Sequence, residues 1–515
     1  MSHGLEIPKE VVDVCARLGV AGFEAYPVGG CVRDVLRSAP PKDWDVTTSA
    51  KPEEILALFE ESFYENKFLT VTVRTGSDYP ALKEIEVTTF RTEGKYTDKR
   101  HPDDVRPAST LEEDLSRRDF TINAMALDMR IRNKELGIRK QKEPHNSLFI
   151  IPNSSIADPF GGQEDLKNKL IRAVGDPEER FEEDALRMMR AVRFSAELGF
   201  EIEGQTKAAI IKLSGNMAFI AGERTRDELI KLLMSPSPRR GIEIMHETGI
   251  LKHIIPELEE GIGMVNRPKH LTIWDHNLKA LEYAVEVKYP LDARLAALLH
   301  DVGKPRARGP EKNVKNDEWT FYGHDVIGGK MAAAILTRLH FPHATVEKIA
   351  TLIRWHLFKY DPDEGITDSS VRRLIRNVGA DRMEDLVRLR ICDRMGMGVA
   401  KALPYRLRHF QFRVEKILRE EEVLSVKMLK INGEDIMQIL GIKPGPTIGR
   451  VLEVLLQEVI DDPAQNMREA LEERVRELGR LSDAELTQIA EQAESKVEIL
   501  EDQREGQIKQ RYYVK

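Results

Sequence analysis

Cysteine is scarce in this sequence of 515 residues, and no two cysteines stand close together. The three that occur are Cys15, Cys31 and Cys392. Disulfide frameworks of secreted domains need many cysteines at paired spacings, so this pattern excludes a disulfide-stabilised secreted domain. We therefore interpret the three as reduced thiols and expect a cytoplasmic protein.

Long apolar runs are also missing, and none approaches the roughly 20 residues that a membrane-spanning helix needs. The first ten residues, MSHGLEIPKE, lack the basic and then apolar layout of a signal peptide, so we do not expect secretion. Excess positive charge is absent too, since the net charge is −8. This excludes a uniformly basic nucleic-acid coat, but the 78 lysines and arginines leave room for a basic groove.

The length exceeds what one hydrophobic core supports, so several domains are expected. A composition of 41% hydrophobic and 32% charged residues is typical of a globular, mostly helical protein. Alternating runs rich in Val, Ile and Thr occur at 68–73 and 82–90, whereas helical spacing dominates after Asp165. The predicted fold class is α+β, a small α/β head with a mixed sheet followed by a long all-α body. We place the domains at 1–155, 156–270, 271–400 and 401–515.

The strongest local signal is a glycine pair followed by two spaced aspartates. Asp43 and Asp45 are two apart around a predicted strand, so their carboxylates point to the same face. Paired Mg²⁺ ions prefer such oxygen ligands, and they activate an attacking hydroxyl and stabilise a leaving pyrophosphate. Gly29 and Gly30 allow close approach to phosphates at a helix start, and Arg33 adds a charged contact.

A third carboxylate is expected on a neighbouring strand. Alternation along 82–90 puts Glu84 and Glu86 on one face, and we choose Glu86. A single Asp-x-Asp is more often a solvated turn than a catalytic site. In this order, with a strand, turn, helix and strand around them, the motifs favour catalysis.

The head resembles the class II tRNA nucleotidyltransferases, or CCA-adding enzymes, and the related bacterial poly(A) polymerases. The shared motifs keep their order: GGCVRD, KDWD, EVTTFR, DLSRRDFTINAMA, EEDALRMMRAVRF and AGERTRDEL. The resemblance implies that Asp43 and Asp45 bind metal. It also implies a nucleotide site formed by Gly29, Gly30, Arg33, Arg118, Asp119, Asp184, Arg187, Arg190 and Arg193.

Helical spacing supports the last group. Asp184 and Arg187 are three apart on a helix predicted over 183–198 and are therefore neighbours. An aspartate acceptor beside an arginine fork can pair with the edge of cytosine or adenine without a template. The alternative is an ordinary salt-bridged helix face. With the upstream motifs present, we prefer the base-selecting interpretation.

Residues 91–112 form a polar, proline-interrupted connection that is long for a compact domain. It resembles the flexible loop that the family uses to change from C to A addition. This argues against an enzyme that adds only the two C residues. A surface loop without function is the alternative.

A second constellation lies in the helical half, where an adjacent His-Asp pair ends an apolar run within the string LHDVGK. Imidazoles and carboxylates together suit several divalent metals. A lone histidine at the end of an apolar helix is more often a core or capping residue. The set nevertheless resembles the HD-domain phosphohydrolases, which implies a site for a divalent metal of unknown identity. The implied ligands are His276, His300, Asp301, His324, His356 and Asp393.

The function implied is template-independent addition of CCA to the 3′ end of tRNA, with CTP and ATP as substrates and Mg²⁺ in the head. Residues 156–270 then select the base and bind RNA, 271–400 carry the HD site, and 401–515 bind tRNA. The alternatives of the same chemistry are addition of the terminal A alone and poly(A) synthesis. The strand at 66–73 favours the CCA type, although Leu69 stands where glycine is usual. Alternatives of other classes are a phosphohydrolase with a nucleotide-sensing head and a non-catalytic RNA-binding module.

Overall fold

The computed structural model describes the part of the chain that forms the head, the helical body and the C-terminal helices. The described residues are 5–65, 69–93, 105–129, 137–139, 148–151, 156–265, 271–309, 312–313, 318–399, 402–422 and 429–514. The chain divides into two compact units, Met1–Ile353 and Arg354–Lys515. In the described helices, no segment is both long and apolar enough to span a bilayer.

The strands are short and concentrated in the first unit. In chain order they are β1 Leu5–Pro8, β2 Ala25–Pro27, β3 Asp45–Thr48, β4 Ser62–Glu65, β5 Thr70–Arg74, β6 Glu84–Thr89, β7 Arg91–Glu93, β8 Val105–Pro107, β9 Ala126–Leu127, β10 Gly137–Arg139, β11 Leu148–Ile151, β12 Ile156–Ala157, β13 Leu170–Ile171, β14 Glu201–Ile202, β15 Lys312–Asn313 and β16 Glu318–Trp319.

Helices make up most of the remaining chain. In chain order they are α1 Lys9–Val20, α2 Gly30–Leu36, α3 Pro52–Leu58, α4 Pro80–Lys83, α5 Leu111–Ser116, α6 Gly162–Asn168, α7 Pro177–Glu183, α8 Leu186–Leu198, α9 Gly204–Leu213, α10 Gly222–Leu233, α11 Pro238–Glu247, α12 Leu251–Ile254, α13 Pro256–Glu259, α14 Ile273–Glu286, α15 Leu291–Leu299, α16 His324–Arg338, α17 His343–Trp355, α18 Asp368–Val378, α19 Met383–Gly396, α20 Tyr405–Glu422, α21 Gly433–Leu440, α22 Pro446–Asp461, α23 Arg468–Leu478 and α24 Asp483–Tyr512.

The head is built on a mixed sheet of five strands in the order β2-β3-β6-β5-β4. The β3–β6 pair is parallel and the other pairs are antiparallel. One face of the sheet packs on α1, which buries Val11, Val14 and Leu18 at helical spacing. Ile55 of α3 joins the same core, and Pro52 opens α3 at its first turn. The predicted mixed sheet with helices is therefore confirmed.

The polar segment 91–112 has regular secondary structure at both ends, where the sequence predicts a loop. Its two ends pair as the antiparallel ribbon of β7 and β8, and its last residues begin α5. Residues 94–104 lie outside the described residues. For residues 94–104 the loop stays a prediction.

The helical body of the first unit is arranged around α8, which packs against α10 and α11. Nearly all of α8 is buried, including polar residues such as Arg187, Arg193 and Ser195. Further along, α14 packs against α15, and α15 also contacts α10. The element that carries the predicted base-selecting residues is thus held inside the helical layer.

The second unit contains α18 to α24 and has a core of its own. Ile436, Val451, Leu455 and Val475 are among its fully buried residues. A capping box begins the last long helix, since Ser482 accepts a hydrogen bond from the N–H of Glu485 at 3.3 Å and the Glu485 carboxylate accepts the N–H of Ser482. Its physical role is to satisfy the first N–H groups of α24.

Two local predictions are wrong in their boundaries. The helix predicted over 183–198 is broken, because α7 ends at Glu183 and Asp184 has extended backbone angles of −138° and 103°. A carboxylate oxygen of Asp184 accepts the N–H of Leu186 at 3.1 Å and caps the start of α8. Asp184 is therefore not on one helix with Arg187. Similarly, β3 begins at Asp45, so Asp43 precedes the strand.

Candidate nucleotide and metal sites

The glycine pair forms the tight turn between β2 and α2. Gly29 has a φ of 83°, which side chains other than glycine rarely adopt. A Cβ added there would lie 2.9 Å from Nη1 of Arg118, so the absence of a side chain lets this guanidinium approach the turn. The structure thus brings Gly29, Gly30 and Arg118 together, as the motifs require.

Three acidic residues are neighbours at the start of β3. Asp45 lies in register with Glu86 on the neighbouring parallel strand, and Asp43 is two residues earlier in the chain. Burial and then the charge of Asp43 raise the pKa of Asp45 to about 7, with Arg118 opposing the rise and Glu86 adding to it. Negative charges placed close together repel one another, and a bound cation relieves this repulsion. Oxygen donors of this kind fit a hard divalent ion such as Mg²⁺.

Arg33 is buried and its guanidinium is already engaged. It donates to both carboxylate oxygens of Asp34 at 2.9 Å and to Oδ1 of Asn123 at 2.8 Å. Its Cζ lies 5.3 Å from the centre of the Phe194 ring. These contacts fix the direction of the guanidinium beside the glycine turn.

Phe194 also belongs to this region, although its role is not among the predictions from the sequence. Its ring is approached by Arg33, Arg190 and Arg193, whose Cζ atoms lie 5.3, 5.5 and 4.0 Å from the centroid. Cations over an aromatic face are stabilised by the ring quadrupole. The only signal available was an aromatic residue within an arginine-rich helix, which is equally typical of a core position.

Asp119 and Arg190 form a partly buried ion pair, with Arg190 Nε at 2.8 Å and Nη2 at 2.6 Å from Asp119 Oδ2. Burial of this carboxyl opposes ionisation. The charge of Arg190, together with hydrogen bonds from Asn123 and Arg190, outweighs burial and holds the pKa of Asp119 at about 2. Asp119 therefore holds Arg190 in place beside Phe194.

We expect Asp119→Asn to lower the free energy of unfolding by about 2 kcal/mol at neutral pH, the size of the pKa depression. A carboxyl group whose pKa is lowered by folding stabilises the fold at pH values above its unfolded pKa. This stabilisation is lost as the pH falls through its folded pKa. The difference in unfolding free energy between variant and wild type should thus be constant above pH 5. It should shrink below pH 4, as the pH approaches the folded pKa of about 2. Denaturant titrations at several pH values measure it.

The matched control is Glu201→Gln, which removes an exposed pair with Arg240 at 2.9 Å. Exposed pairs contribute little, so its unfolding free energy should stay within about 0.5 kcal/mol of wild type. An Asp119→Asn protein as stable as this control at neutral pH would contradict the assignment.

Asp184 and Arg187 have different partners. Both oxygens of Asp184 accept hydrogen bonds from Arg224, at 3.2 and 2.7 Å. Nη1 of Arg187 donates to Glu183 at 2.5 Å, and Nη2 donates to the carbonyl of Arg117 at 3.2 Å. The predicted neighbours are near in the chain, but each is oriented by residues outside the pair.

Arg193, the last residue of the predicted nucleotide group, is also anchored. Its Nε lies 2.6 Å from Oε2 of Glu228, and its Nη1 lies 3.0 Å from Glu197. Glu228 is almost fully buried and is also 3.9 Å from Arg190. Neither Arg224 nor Glu228 was singled out from the sequence, because both lie on α10, more than 30 residues from the groups they bind.

In the helical body of the first unit, His276, His300 and Asp301 converge. Their ligand atoms lie within 4.8 Å of one another, and all three residues are buried. Nε2 of His276 is 2.9 Å from Nε2 of His300, and both are near Oδ2 of Asp301, at 3.2 and 3.4 Å. His324, at the start of α16, brings its Nε2 to 3.4 Å from the other oxygen.

Two of these imidazoles have a fixed tautomer. Nδ1 of His300 bonds to the carbonyl of Ala297 at 2.8 Å, and Nδ1 of His324 bonds to that of Phe321 at 2.6 Å. A carbonyl only accepts, so Nδ1 carries the proton and Nε2 presents its lone pair towards Asp301. Neutral imidazoles around a carboxylate are the donor set of a divalent transition metal. The residues therefore fit the metal that the sequence implies.

Asp301 is ionised in this setting. Burial alone would raise its pKa, and the charge of Lys304 is the largest of the effects that hold the pKa well below the usual value. Nζ of Lys304 is 2.5 Å from Oδ2 of Asp301. The lysine was present in the string LHDVGK, but its role as a counter-charge was not predicted.

The glycine of the same string is needed for packing. A Cβ at Gly303 would lie 2.3 Å from the carbonyl oxygen of His324 and 2.4 Å from the backbone nitrogen of Gly328. Only glycine lets this turn press against α16. That contact brings His324 to Asp301.

The two remaining predicted ligands belong to the second unit, which is described separately. His356 and Asp393 are both buried. One carboxylate oxygen of Asp393 is 2.8 Å from Nη1 of Arg390, one turn earlier on α19. Their part in a metal site stays a prediction.

Comparisons with known proteins match successive parts of the chain to four family models. A poly A polymerase head domain matches residues 25–172, and a probable RNA- and SrmB-binding site of polymerase A matches 199–262. An HD domain matches 273–395, and a putative domain 2 of tRNA nucleotidyltransferases matches 370–475.

Similar proteins cover most of the chain. A CCA-adding enzyme of Ligilactobacillus salivarius is 31% identical over 91% of this chain and 96% of its own length. An A-adding tRNA nucleotidyltransferase of Deinococcus radiodurans is 34% identical over 67% of this chain and 75% of its own. The crystal structure of the Bacillus stearothermophilus CCA-adding enzyme in complex with CTP has a TM-score of 0.53 at 26% identity, covering 92% of this chain and 97% of that one. The protein belongs to the family of tRNA nucleotidyltransferases that includes the CCA-adding enzymes.

Proposed function

We propose that this protein adds CMP and AMP, taken from CTP and ATP, to the 3′ end of tRNA without a nucleic-acid template. The observation that carries the proposal is the register of Asp45 with Glu86, with Asp43 two residues earlier and the strand bonded to the residue before the Gly29 turn. A relative that aligns over most of both chains is named a CCA-adding enzyme. The phosphohydrolase with a nucleotide-sensing head and the RNA-binding module do not need such a trio.

Each part of the head has a role in this proposal. Asp43 and Asp45 bind Mg²⁺, and Glu86 assists from the adjacent strand. When bound, Mg²⁺ activates the 3′ hydroxyl and neutralises charge on the leaving pyrophosphate. Gly29 and Gly30 let the triphosphate approach the backbone, and Arg33 and Arg118 provide positive charge beside it.

The helical part selects the base. Asp184 accepts from the amino group of cytosine or adenine, and Arg187 donates to the same edge. Asp119 orients Arg190, and Arg190 and Arg193 contribute positive charge near the nucleotide. We assign base selection and RNA binding to residues 156–270 and tRNA binding to 401–515, and we expect a cytoplasmic enzyme because tRNA is its substrate.

The HD region, residues 271–400, is proposed to hold a divalent metal for hydrolysis of phosphate esters. Its ligands are His276, His300, Asp301, His324, His356 and Asp393. The paired imidazoles and carboxylate of the first unit support this assignment. A bound metal would supply an activated water at neutral pH.

The test is nucleotide incorporation with Mg²⁺ on three tRNA transcripts that lack CCA, end in C, or end in CC. CTP and ATP are supplied separately and together. We expect all three to grow to a defined CCA end. The matched blank is the same reaction with EDTA, in which incorporation should stop.

A second candidate is addition of the terminal A alone, which the relative from Deinococcus radiodurans brings forward. Extension of only the CC-ending transcript, by one A, would establish it. Long A tails would indicate a poly(A) polymerase instead. No incorporation on any transcript would refute nucleotidyl transfer.

A further inference from the structure

Arg224 forms the main side-chain contact of the base-selecting aspartate. Its two terminal nitrogens bind the two oxygens of Asp184, at 3.2 and 2.7 Å. Such a fork-to-carboxylate contact fixes the plane of the carboxylate as well as its position. We propose that Arg224 is a positioning residue that orients Asp184 and thereby sets the nucleotide selectivity of the enzyme. The inference rests on the proposed function.

The backbone around Asp184 explains why a positioning group is needed. Asp184 stands at the break between α7 and α8, where the extended backbone lacks the constraint of a continuous helix. One carboxylate oxygen also accepts the N–H of Leu186 at 3.1 Å. With that bond alone, the carboxylate could still rotate about the bonded oxygen. Arg224 prevents this rotation because it also binds the second oxygen.

The same helix holds the arginines of the site. Glu228 lies four residues after Arg224 on α10, so both project from one face of the helix. Glu228 is 2.6 Å from Nε of Arg193 and 3.9 Å from Nη1 of Arg190. One face of α10 therefore carries a positive charge that binds Asp184 and a negative charge that lies beside the two arginines. This charge complementarity aligns α8 against α10 and fixes the direction of each group.

Orientation of the aspartate matters because of the edges that the four bases present. Cytosine and adenine carry an exocyclic amino donor, whereas uracil and guanine carry a carbonyl oxygen at the corresponding position. A carboxylate oxygen fixed towards that position accepts from the first two and repels the others. A carboxylate that rotates loses this discrimination while the metal and the triphosphate are still bound.

The experiment compares Arg224→Gln with Arg226→Gln on the same helix. The two arginines have similar side-chain exposure, 27% and 23%, but Arg226 binds Asp227 and the carbonyl of His340 rather than Asp184. The readout is kcat/KM for CTP against UTP and for ATP against GTP on the same transcripts. We expect discrimination to fall about tenfold or more in Arg224→Gln, the order that loss of a charged hydrogen-bond pair gives, and to be unchanged in Arg226→Gln.

Arg224→Lys keeps the charge and removes the fork, so its selectivity should lie between the two. It also serves if the glutamine variant does not fold, and thermal unfolding of each variant separates loss of structure from loss of selectivity. Wild-type discrimination in both Arg224 variants would overturn the inference while the proposed function stands. A wild-type enzyme that incorporates no nucleotide would overturn the proposed function, and the inference with it.

Discussion

Asp45→Asn should reduce nucleotide incorporation about a thousandfold or more, since loss of metal-assisted charge stabilisation costs several kcal/mol in the transition state. Asp45 opens β3 at the point where Asp43 and Glu86 approach it. Asparagine has the same shape but no charge, so it offsets none of the Mg²⁺ charge and binds the ion more weakly than a carboxylate does. Incorporation of radiolabelled CMP and AMP into a tRNA transcript measures the effect.

Folding and tRNA binding should survive this substitution. The change removes like-charge repulsion between residues 43 and 45, and it keeps the volume of the side chain. Filter binding of labelled tRNA and circular dichroism test both points. Retained incorporation would refute the metal-binding role of Asp45.

The matched control is Glu84→Gln, on the same strand and the same face as Glu86. Glu84 is exposed and pairs with Arg74 at 3.3 Å rather than with the aspartates. Its incorporation rate should equal that of wild type. Loss of incorporation in both Asp45→Asn and Glu84→Gln would mean that the substitutions disturb the sheet, and the loss could not be assigned to the three carboxylates.

The carboxylate trio could be approached from the sequence because strand geometry is local. Alternation along β6 correctly put Glu84 and Glu86 on one face, and a neighbouring strand for the third acid was expected. The parallel register that sets Glu86 beside Asp45 depends on the whole sheet. The catalytic role of each acid stays a prediction until the variants are measured.

The region predicted to select the base shows where periodicity is insufficient. The spacing of apolar residues runs on through residues 183–198, yet the helix is broken at Asp184. Two side-chain contacts decide this, a cap on Leu186 and the fork of Arg224, which is 40 residues away. Contacts over such separations leave no trace in a local pattern. For the same reason the roles of Glu228 and Phe194 were not predicted.

Asp301→Asn should abolish hydrolysis of phosphate esters by the HD region and leave nucleotide incorporation unchanged. Asp301 is the residue on which His276, His300 and His324 converge. Its ionised carboxylate is the only negative charge among these four groups, so a neutral amide removes the main electrostatic attraction for a divalent ion. The measurements are release of p-nitrophenol from a phosphodiester with Mn²⁺ or Ni²⁺, and CMP incorporation with Mg²⁺.

The same substitution should also destabilise the protein without metal. It leaves the buried side of Lys304 without its carboxylate partner, and removal of one partner of a buried ion pair costs about 3–5 kcal/mol. Asp292→Asn is the control, since its partly exposed pair with Lys348 at 2.7 Å lies at the start of α15. That variant should keep both activities and lose little stability. Hydrolysis that persists in Asp301→Asn would refute the HD assignment. A parallel fall in incorporation would instead show that the two catalytic regions depend on one another, because the Asp301 cluster and the α8–α10 pair share one compact unit.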